Sequence, residues 1–520
     1  MGAELQPLRD PSSNPVTGGS GRATGVALCL LSASLYTLLF PPFDHGRLAW
    51  VALVPLFVAF TRMRPLAAAG AGLLWALAAT VGIAWWLPAT FERYFDVSPP
   101  VAWAGLLAGG LLLDGLPYAL LGAWVAWVSR RRPLAPWALG AAFALAEYAR
   151  ANVSLGNPFA LVAYSQHGGP FAQLADLAGP YGIGWLIAGV NATLAGLLAP
   201  ALRTASPRRS LAAAAALVAA AWGYGALRST QDFDSGDPIR VAVVQSGIAR
   251  EIHVDESLRA ERLESTLALT RTAAAARPDI IFWPEYAVDF YLRDPSRERS
   301  SLLSAARGLG ADLVLGAPDY RVRNGTPHFY NSVFLLEGDA ILGRHDKVRL
   351  VPFAEYGPLG SWLRAETALY EPGDAAQPLG ARTARVGAFL CSEALDSRIA
   401  RALVRNGAEL LANPSNDYWL GAPAAALQQV QVAAFRAIET RRYLVRSTPT
   451  GYSAVIDPHG RVRALSQWGG SDLLASELHR SRAITPYVRF GDLACAVALA
   501  AVLSTSLSAG LRALRDPPWR

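Results

Sequence analysis

The sequence GAFLCSEAL at residues 387–395 places a reactive side chain directly after an apolar run. Its first residues are typical of a buried strand, and Cys391 follows at a turn before a helix that we predict over 395–406. Backbone N–H groups and the start of a helix can lower the pKa of a thiol at such a turn, which favours a nucleophile. A strand that leads into a helix in this way predicts a layered α/β domain around Cys391.

Two further stretches place charged side chains beside apolar runs. The sequence IIFWPEY at 280–286 ends a buried run near Glu285, and desolvation raises the pKa of such a carboxylate, which suits a general base. The sequence HDKVRLVPFAE at 345–355 supplies Lys347 and a second carboxylate, Glu355. Each residue alone is more often structural. Together with the cysteine they provide a nucleophile, a base and a cation, the groups that acyl transfer through a thioester requires.

Short β-rich runs alternate with amphipathic helices around these residues, which predicts helices covering sheets. No glycine-rich nucleotide motif and no zinc-ligand spacing occurs, so the sequence predicts neither a cofactor nor a metal site. The predicted strands are 239–245, 279–284, 312–316, 331–337, 386–391, 409–413 and 443–447, and the predicted helices are 255–276, 299–309, 395–406 and 424–440.

The composition indicates a membrane protein that carries one globular domain. Of its 520 residues 52% are hydrophobic and 17% are charged, and the apolar excess lies outside 231–485. We predict about eight transmembrane helices, near 24–42, 47–61, 66–88, 101–128, 134–150, 180–201, 209–228 and 492–514. The predicted domains are a disordered tail at 1–23, seven spans within 24–228, a catalytic domain at 229–490, a last span at 491–514 and a second tail at 515–520.

The distribution of arginines predicts the orientation. With both termini in the cytoplasm, the predicted cytoplasmic segments follow the positive-inside rule and the globular domain lies outside the cytoplasm. The net charge of +7 is then explained by helix ends, without a nucleic-acid partner. The cytoplasmic arginines would be 9, 22, 62, 64, 130–132, 203, 208, 209, 512, 515 and 520, against 47, 93 and 150 in the short loops on the other side.

Three charged residues fall in or near predicted spans. Asp114, Glu147 and Arg150 could mark a functional pathway, since intramembrane charges are often functional. Glu147 and Arg150 are three residues apart on one predicted helix, where they can pair, and a structural role is favoured. Cys29 and Cys495 lie in apolar runs, which leaves Cys391 without a disulfide partner in its own domain.

The order and context of Glu285, Lys347 and Cys391 resemble the nitrilase superfamily of carbon–nitrogen hydrolases. The resemblance implies an αββα sandwich. It also implies that Glu285 is the general base, Lys347 stabilises an oxyanion and Cys391 is the nucleophile.

The chain is more similar still to the membrane branch of that superfamily, the apolipoprotein N-acyltransferases. This likeness implies that Glu355 is a second essential carboxylate and that the loop with Tyr418 and Trp419 is a mobile lid, with Ser392 and Glu393 as further supporting residues. The residue after the nucleophile is commonly aromatic in this family, whereas here it is Ser392. The phrases that carry the likeness are LAWVALVPL at 48–56, LVPFAE at 350–355, PSNDYW at 414–419, RST at 446–448 and TPY at 485–487.

The implied reaction transfers an acyl chain from a phospholipid, which in this family is phosphatidylethanolamine, through the thiol to the N-terminal amine of a diacylglyceryl-cysteine lipoprotein. The implied location is the bacterial inner membrane, with the catalytic domain in the periplasm. Two alternatives differ in class. A membrane-tethered amidase would use the same three residues with water as the acceptor, and a transporter with an accessory domain would not need Cys391.

Overall fold

The structure, a computed structural model, describes residues 20–153, 156–202, 204–248, 256–352, 355–356 and 370–515. Most of the tail predicted at 1–23 and all but the first residue of the tail predicted at 515–520 lie outside these ranges. So do Phe353 and Ala354 of the loop that follows Lys347. The first helix already begins at Ser20, because the run that follows it is rich in alanine and leucine.

The N-terminal half of the described chain is helical. Several helices begin with proline in their first turn, where its missing N–H costs no hydrogen bond. Helices α1 to α10 are Ser20–Thr37, Ala49–Ala52, Val54–Arg62, Pro65–Ile83, Leu87–Phe95, Pro99–Gly109, Leu116–Ser129, Pro136–Asn152, Ala175–Leu198 and Pro207–Arg228. Helices α11 to α16 are Arg259–Ala274, Arg297–Arg307, Ser397–Arg405, Pro423–Thr440, Pro486–Phe490 and Leu493–Arg515.

Within the described residues, 5 helical segments are long and apolar enough to cross a membrane. They correspond to the third, fourth, sixth, seventh and eighth predicted spans. The first, second and fifth predicted spans are helical but shorter: they are α1, the pair α2–α3 and α8. The count of eight therefore stays a prediction. The five segments are Pro65–Ile83, Pro99–Ser129, Pro170–Leu198, Pro207–Arg228 and Leu493–Leu514.

The rest of the chain forms two six-stranded sheets. The first has the order β12-β1-β2-β3-β4-β5 and the second β11-β10-β9-β8-β7-β6, and each has three neighbouring parallel strands at its centre. Strands β1 to β6 are Ser235–Ser246, Ile280–Phe282, Asp312–Arg323, Thr326–Glu337, Ala340–Asp346 and Leu379–Gly380. Strands β7 to β12 are Arg385–Ala388, Leu410–Pro414, Leu444–Ser447, Ala454–Ile456, Val462–Leu465 and Ser471–Arg480.

The two sheets pack face to face and helices cover both outer faces. Val243, Phe282 and Val314 of the first sheet share one apolar cluster with Val386 and Ala412 of the second. The opposite face of the first sheet packs against α11 and α12, and that of the second against α13 and α14. This arrangement is the αββα sandwich of the nitrilase fold, which confirms the predicted fold class.

One strand boundary was predicted wrongly at the candidate nucleophile. Strand β7 ends at Ala388, and Cys391 instead begins a short 3₁₀ helix, Cys391–Leu395. Cys391 has φ of 48°, in the left-handed region that a strand cannot contain. The thiol therefore projects from a sharp turn beyond the end of the strand.

A buried carboxylate fastens the sandwich to the helices. Asp176, at the start of α9, accepts hydrogen bonds from Arg441 Nη2 at 2.7 Å, from Arg228 Nε at 2.8 Å and from the Tyr224 hydroxyl at 2.7 Å. Arg441 directly follows α14 of the sandwich, whereas Arg228 ends α10. Removing one partner of such a buried pair typically costs about 3–5 kcal/mol. This ion-pair cluster, which we call the Asp176 anchor, holds the two parts together.

The predicted pair between Glu147 and Arg150 is wrong. Arg150 Nη1 instead lies 3.6 Å from Asp114 Oδ1, across two helices. The Glu147 carboxylate accepts from the Val162 backbone N–H at 2.7 Å and from the Tyr36 hydroxyl at 3.1 Å. Asp114 and Glu147 thus both have partners in the protein, which agrees with a structural role for these charges.

Candidate active site

The three residues predicted to carry the chemistry meet between the two sheets. Lys347 Nζ lies 3.3 Å from Glu285 Oε1, and the Cys391 thiol is close enough to the Glu285 carboxylate for each group to shift the pKa of the other. Their exposed fractions are 3% for Glu285, 1% for Lys347 and 4% for Cys391. A base, a cation and a thiol are therefore in contact and shielded from bulk water.

Strand ends bring these residues together. Glu285 follows β2 and Lys347 directly follows β5, both in the first sheet, whereas Cys391 follows β7 in the second. Gly316 in β3 makes room for the base, because a Cβ atom there would lie 2.6 Å from the Glu285 Cα atom. The Ser447 hydroxyl of β9 donates to the Trp283 carbonyl at 2.9 Å and so ties the second sheet to the segment that carries the base.

A second carboxylate completes the charged cluster. Glu355 Oε1 lies 2.9 Å from Lys347 Nζ, and its other oxygen accepts from the Val351 backbone N–H at 2.7 Å. The Asn331 side-chain amide donates to Glu285 at 2.8 Å and to Glu355 at 3.1 Å. One ammonium and one amide thus fix the position of both carboxylates, as expected if Glu355 supports the site.

The charges of the cluster set the protonation of its members. Burial raises the pKa of Glu285, the Lys347 ammonium opposes this, and the net shift is upward. Burial disfavours the charge of Lys347, but the two carboxylates outweigh it and hold the pKa of Lys347 well above its usual value. Lys347 therefore stays cationic at neutral pH, where it can stabilise a developing negative charge.

The expectation of a lowered thiol pKa is wrong. Burial, followed by the nearby charge of Glu285, raises the pKa of Cys391 to about 12. Lys347 and the backbone N–H of Asn416, which donates to the sulfur, only partly offset this. The thiol is therefore protonated at rest, and it needs the adjacent Glu285 to accept its proton during attack.

Glu393 shapes the turn that carries the nucleophile. It is fully buried and accepts from three backbone N–H groups: Leu390 at 2.6 Å, Val348 at 2.7 Å and Arg349 at 3.0 Å. It thereby links the turn of Cys391 to the loop of Lys347. These contacts do not involve the sulfur of Cys391 or the ammonium of Lys347, so Glu393 acts as a positioning residue.

Sequence reasoning missed two parts of the site. The first is Asn331, a buried polar residue that opens the predicted strand 331–337, whose contacts with Glu285 and Glu355 the sequence did not indicate. The second is a buried network behind the nucleophile: Asp417 and Arg446 lie in phrases that carry the family likeness, but their contacts were not predicted. Arg446 donates to Asn413 and to Asp417, and the Asn413 amide donates to the Cys391 carbonyl at 3.3 Å. This network orders the loop after β8, whose Asn416 N–H contacts the sulfur.

An apolar cavity of about 320 Å³ adjoins the nucleophile. Ser392, the residue after Cys391, and Trp419 line it together with side chains of helices α4 and α6, so it extends from beside the nucleophile into the helical part of the chain. Tyr418 lies beside it, with the Arg93 guanidinium 5.8 Å from its ring. The structure thus brings all the predicted supporting residues to the thiol or to this cavity.

Comparisons with known proteins match both parts of the chain. Residues 240–485 match the carbon–nitrogen hydrolase family, and residues 32–193 match the apolipoprotein N-acyltransferase N-terminal domain. An apolipoprotein N-acyltransferase of Geobacter metallireducens is 33% identical and covers 91% of this chain and 94% of its own. Those of Pseudomonas putida and Caulobacter vibrioides are each 31% identical, over 93% and 91% of this chain and 96% and 92% of their own.

Proposed function

Since the chain belongs to the apolipoprotein N-acyltransferase family, we propose that it transfers the acyl chain in two steps through a thioester on Cys391. The observation that carries this proposal is the contact of thiol, carboxylate and ammonium beside an apolar cavity. The acyl donor is a phospholipid, with phosphatidylethanolamine expected, and the acceptor is the N-terminal amine of a diacylglyceryl-cysteine lipoprotein.

In the first step Glu285 takes the proton of the Cys391 thiol while the sulfur attacks the ester carbonyl carbon. The oxygen of the tetrahedral intermediate bears a negative charge, which the Lys347 ammonium stabilises. Collapse breaks the bond between the acyl carbon and the glycerol oxygen. That oxygen takes the proton from Glu285 and leaves as a lysophospholipid, and the acyl chain remains on the sulfur.

In the second step the amine of the lipoprotein attacks the thioester. Glu285 accepts one proton from the amine, the Cys391 thiolate leaves, and the proton returns to the sulfur. The product is an amide, and the enzyme regains its starting state. Two sequential reactions at one thiol need only one lipid at the sulfur at a time, whereas direct transfer would require both lipids to be aligned there together.

The cavity explains why such an enzyme is joined to membrane helices. Burying one CH₂ group is worth about 0.8 kcal/mol, so drawing a whole acyl chain into water would be prohibitive. An apolar cavity that reaches Ser392 allows the chain to pass from the bilayer towards the thiol without being hydrated.

Product analysis tests this function against the amidase alternative. Purified enzyme with phospholipid and a diacylglyceryl lipopeptide is expected to release one lysophospholipid for each amide formed, with no free fatty acid. Lysophospholipid, acylated lipopeptide and free fatty acid are measured in the same reaction by mass spectrometry. A reaction without enzyme is the control. Free fatty acid in place of the amide would identify water as the acceptor and contradict the proposal.

The orientation proposed from the arginines has its own test. We propose that 24–228 and 491–514 form the membrane domain, that both termini are cytoplasmic and that 229–490 lies on the periplasmic side of the inner membrane. Reporters fused after Arg132 or Arg209 are expected to be cytoplasmic, and a reporter within 231–485 to be outside, because arginines favour the cytoplasmic side. A reporter within 231–485 that reads as cytoplasmic would contradict both the orientation and the proposed acceptor.

A further inference from the structure

Three side chains that line the cavity each carry a buried polar atom without a hydrogen-bond partner among the residues that the structure describes. The atoms are the indole Nε1 of Trp86, the guanidinium Nε of Arg150 and the amide Oε1 of Gln429. The three side chains are 6%, 6% and 1% exposed, so bulk water hardly reaches them. An unpaired buried polar group is unfavourable, and an occupant of the cavity can supply the missing partner.

The chemistry of these groups limits what the occupant can be. The indole and the guanidinium only donate hydrogen bonds, and a glutamine amide can present either its oxygen or its NH₂ group. The remaining wall is largely apolar, with side chains such as Trp75, Ile83 and Leu106. The cavity therefore fits a molecule with an apolar body and hydrogen-bond acceptors. Ester carbonyls of a diacyl lipid have this character.

Trp86 packs against the segment that follows β8. Its ring belongs to one apolar cluster with Leu420 and Ala422, and Trp419 packs against that cluster. The same loop carries Asn416, whose N–H donates to the Cys391 sulfur. Arg150 lies elsewhere in the wall, where it pairs with Asp114 at 3.6 Å. Of the two unpaired donors, the indole is thus the one linked to the catalytic loop.

We propose that the Trp86 indole N–H binds the carbonyl oxygen of the ester that is not attacked, so that the enzyme selects donors with two esters. The inference rests on the proposed function, because it assumes that the cavity receives the acyl donor. In a diacyl lipid the attacked carbonyl is occupied by the oxyanion site, while the second carbonyl lies on the same glycerol. Since this second ester does not react, its hydrogen bond is equally strong in the bound donor and in the transition state, and it acts mainly on KM.

The test compares two phospholipid donors with the same head group on the purified full-length enzyme. One is a diester, and the other keeps the transferred ester but has an ether in the second position. One buried hydrogen bond corresponds to about tenfold in affinity, so we expect kcat/KM for formation of acyl-Cys391 to be about tenfold lower with the ether, mainly through KM. Trp86→Phe keeps an aromatic ring without the N–H. This variant is expected to use both donors alike, at the rate of wild type with the ether.

The control variant is Trp85→Phe. Trp85 is the neighbouring tryptophan and is 50% exposed, so this variant should retain the tenfold preference. Equal use of both donors by wild type would overturn the proposal, even if Trp86→Phe did not fold. If folded Trp86→Phe kept the full preference for the diester over the ether, the proposal would also be overturned. A preference that changes with the head group would overturn it too, because it would assign the N–H to the phosphate. Absence of any acyl-Cys391 with the diester would instead contradict the proposed function.

Discussion

Cys391→Ala is expected to abolish acyl transfer, with a loss on the order of 10⁶-fold, the size seen when a triad nucleophile is removed. In the proposed mechanism the thiol carries the acyl chain between the two lipids, and Glu285 and Lys347 have no function in transfer without it. Enzyme incubated with phospholipid alone should gain the mass of one acyl chain on the peptide that contains Cys391. Neutral hydroxylamine should remove this mass, because it cleaves thioesters.

The two other cysteines provide matched controls for this result. Cys29 and Cys495 are buried in α1 and α16, away from the cluster of Glu285 and Lys347. Cys29→Ala and Cys495→Ala should therefore keep both the adduct and the turnover. An adduct that persists in Cys391→Ala, or complete lipoprotein acylation by that variant, would rule out the thioester mechanism.

Glu285→Gln and Lys347→Ala should each lower turnover by orders of magnitude. Loss of one preorganised oxyanion donor typically costs about 10²–10³ in rate, and loss of the base leaves the thiol, whose pKa is still raised by burial, without a group to accept its proton. The measurement is single-turnover formation of acyl-Cys391, with thermal unfolding to verify the fold. Lys347→Met, which keeps most of the side-chain volume, separates loss of charge from a packing defect. We also expect Glu355→Ala to be severely impaired.

Glu264, an exposed carboxylate that pairs with Arg271, offers a matched control for Glu285→Gln. Its side chain is 58% exposed on α11, and Glu264→Gln should leave the rate unchanged.

The general base acts in its deprotonated form, so formation of acyl-Cys391 should slow as the pH falls through the pKa of Glu285. Because that pKa is raised, the acid limb of the profile should have its midpoint above 4.5. Near wild-type activity of Glu285→Gln, or an acid limb below 4.5, would refute the assigned role.

The central strands were predictable from the sequence, whereas the peripheral strands were not. The seven predicted strands are buried at the centre of the two sheets, where continuous apolar runs indicate a strand. Strand β11 is largely exposed and only 4 residues long, and β12 is mostly half-buried with polar residues at many positions, so their apolar periodicity is weak. Strand β10 is fully buried but has only 3 residues. Strand β6 is only 2 residues long, too short for any pattern.

Glu285 and Cys391 were predictable because each follows an apolar run, and Lys347 because of the family likeness, but their surroundings were not. The turn at Cys391 was visible in the sequence, and its backbone N–H groups suggested a lowered thiol pKa. The opposite shift arises from burial and from Glu285, which approaches from the other sheet, 106 positions earlier in the chain. Trp86 likewise had no signal, because an unpaired indole N–H can be recognised only after its neighbours are known.

The Asp176 anchor has a consequence for how acceptors are chosen. Buried ion pairs fix the sandwich domain to the helices, so it cannot swing relative to them. In the proposed orientation the Cys391 sulfur would therefore stay at a constant height above the bilayer, and the substrates would have to move to it. In the proposed reaction, phospholipids would reach the sulfur by lateral diffusion. A lipoprotein would have to bring its modified first residue to that height while its folded body remains outside, which requires a long enough tether behind that residue. Under the proposed function the anchor would therefore make tether length a criterion by which acceptors are selected.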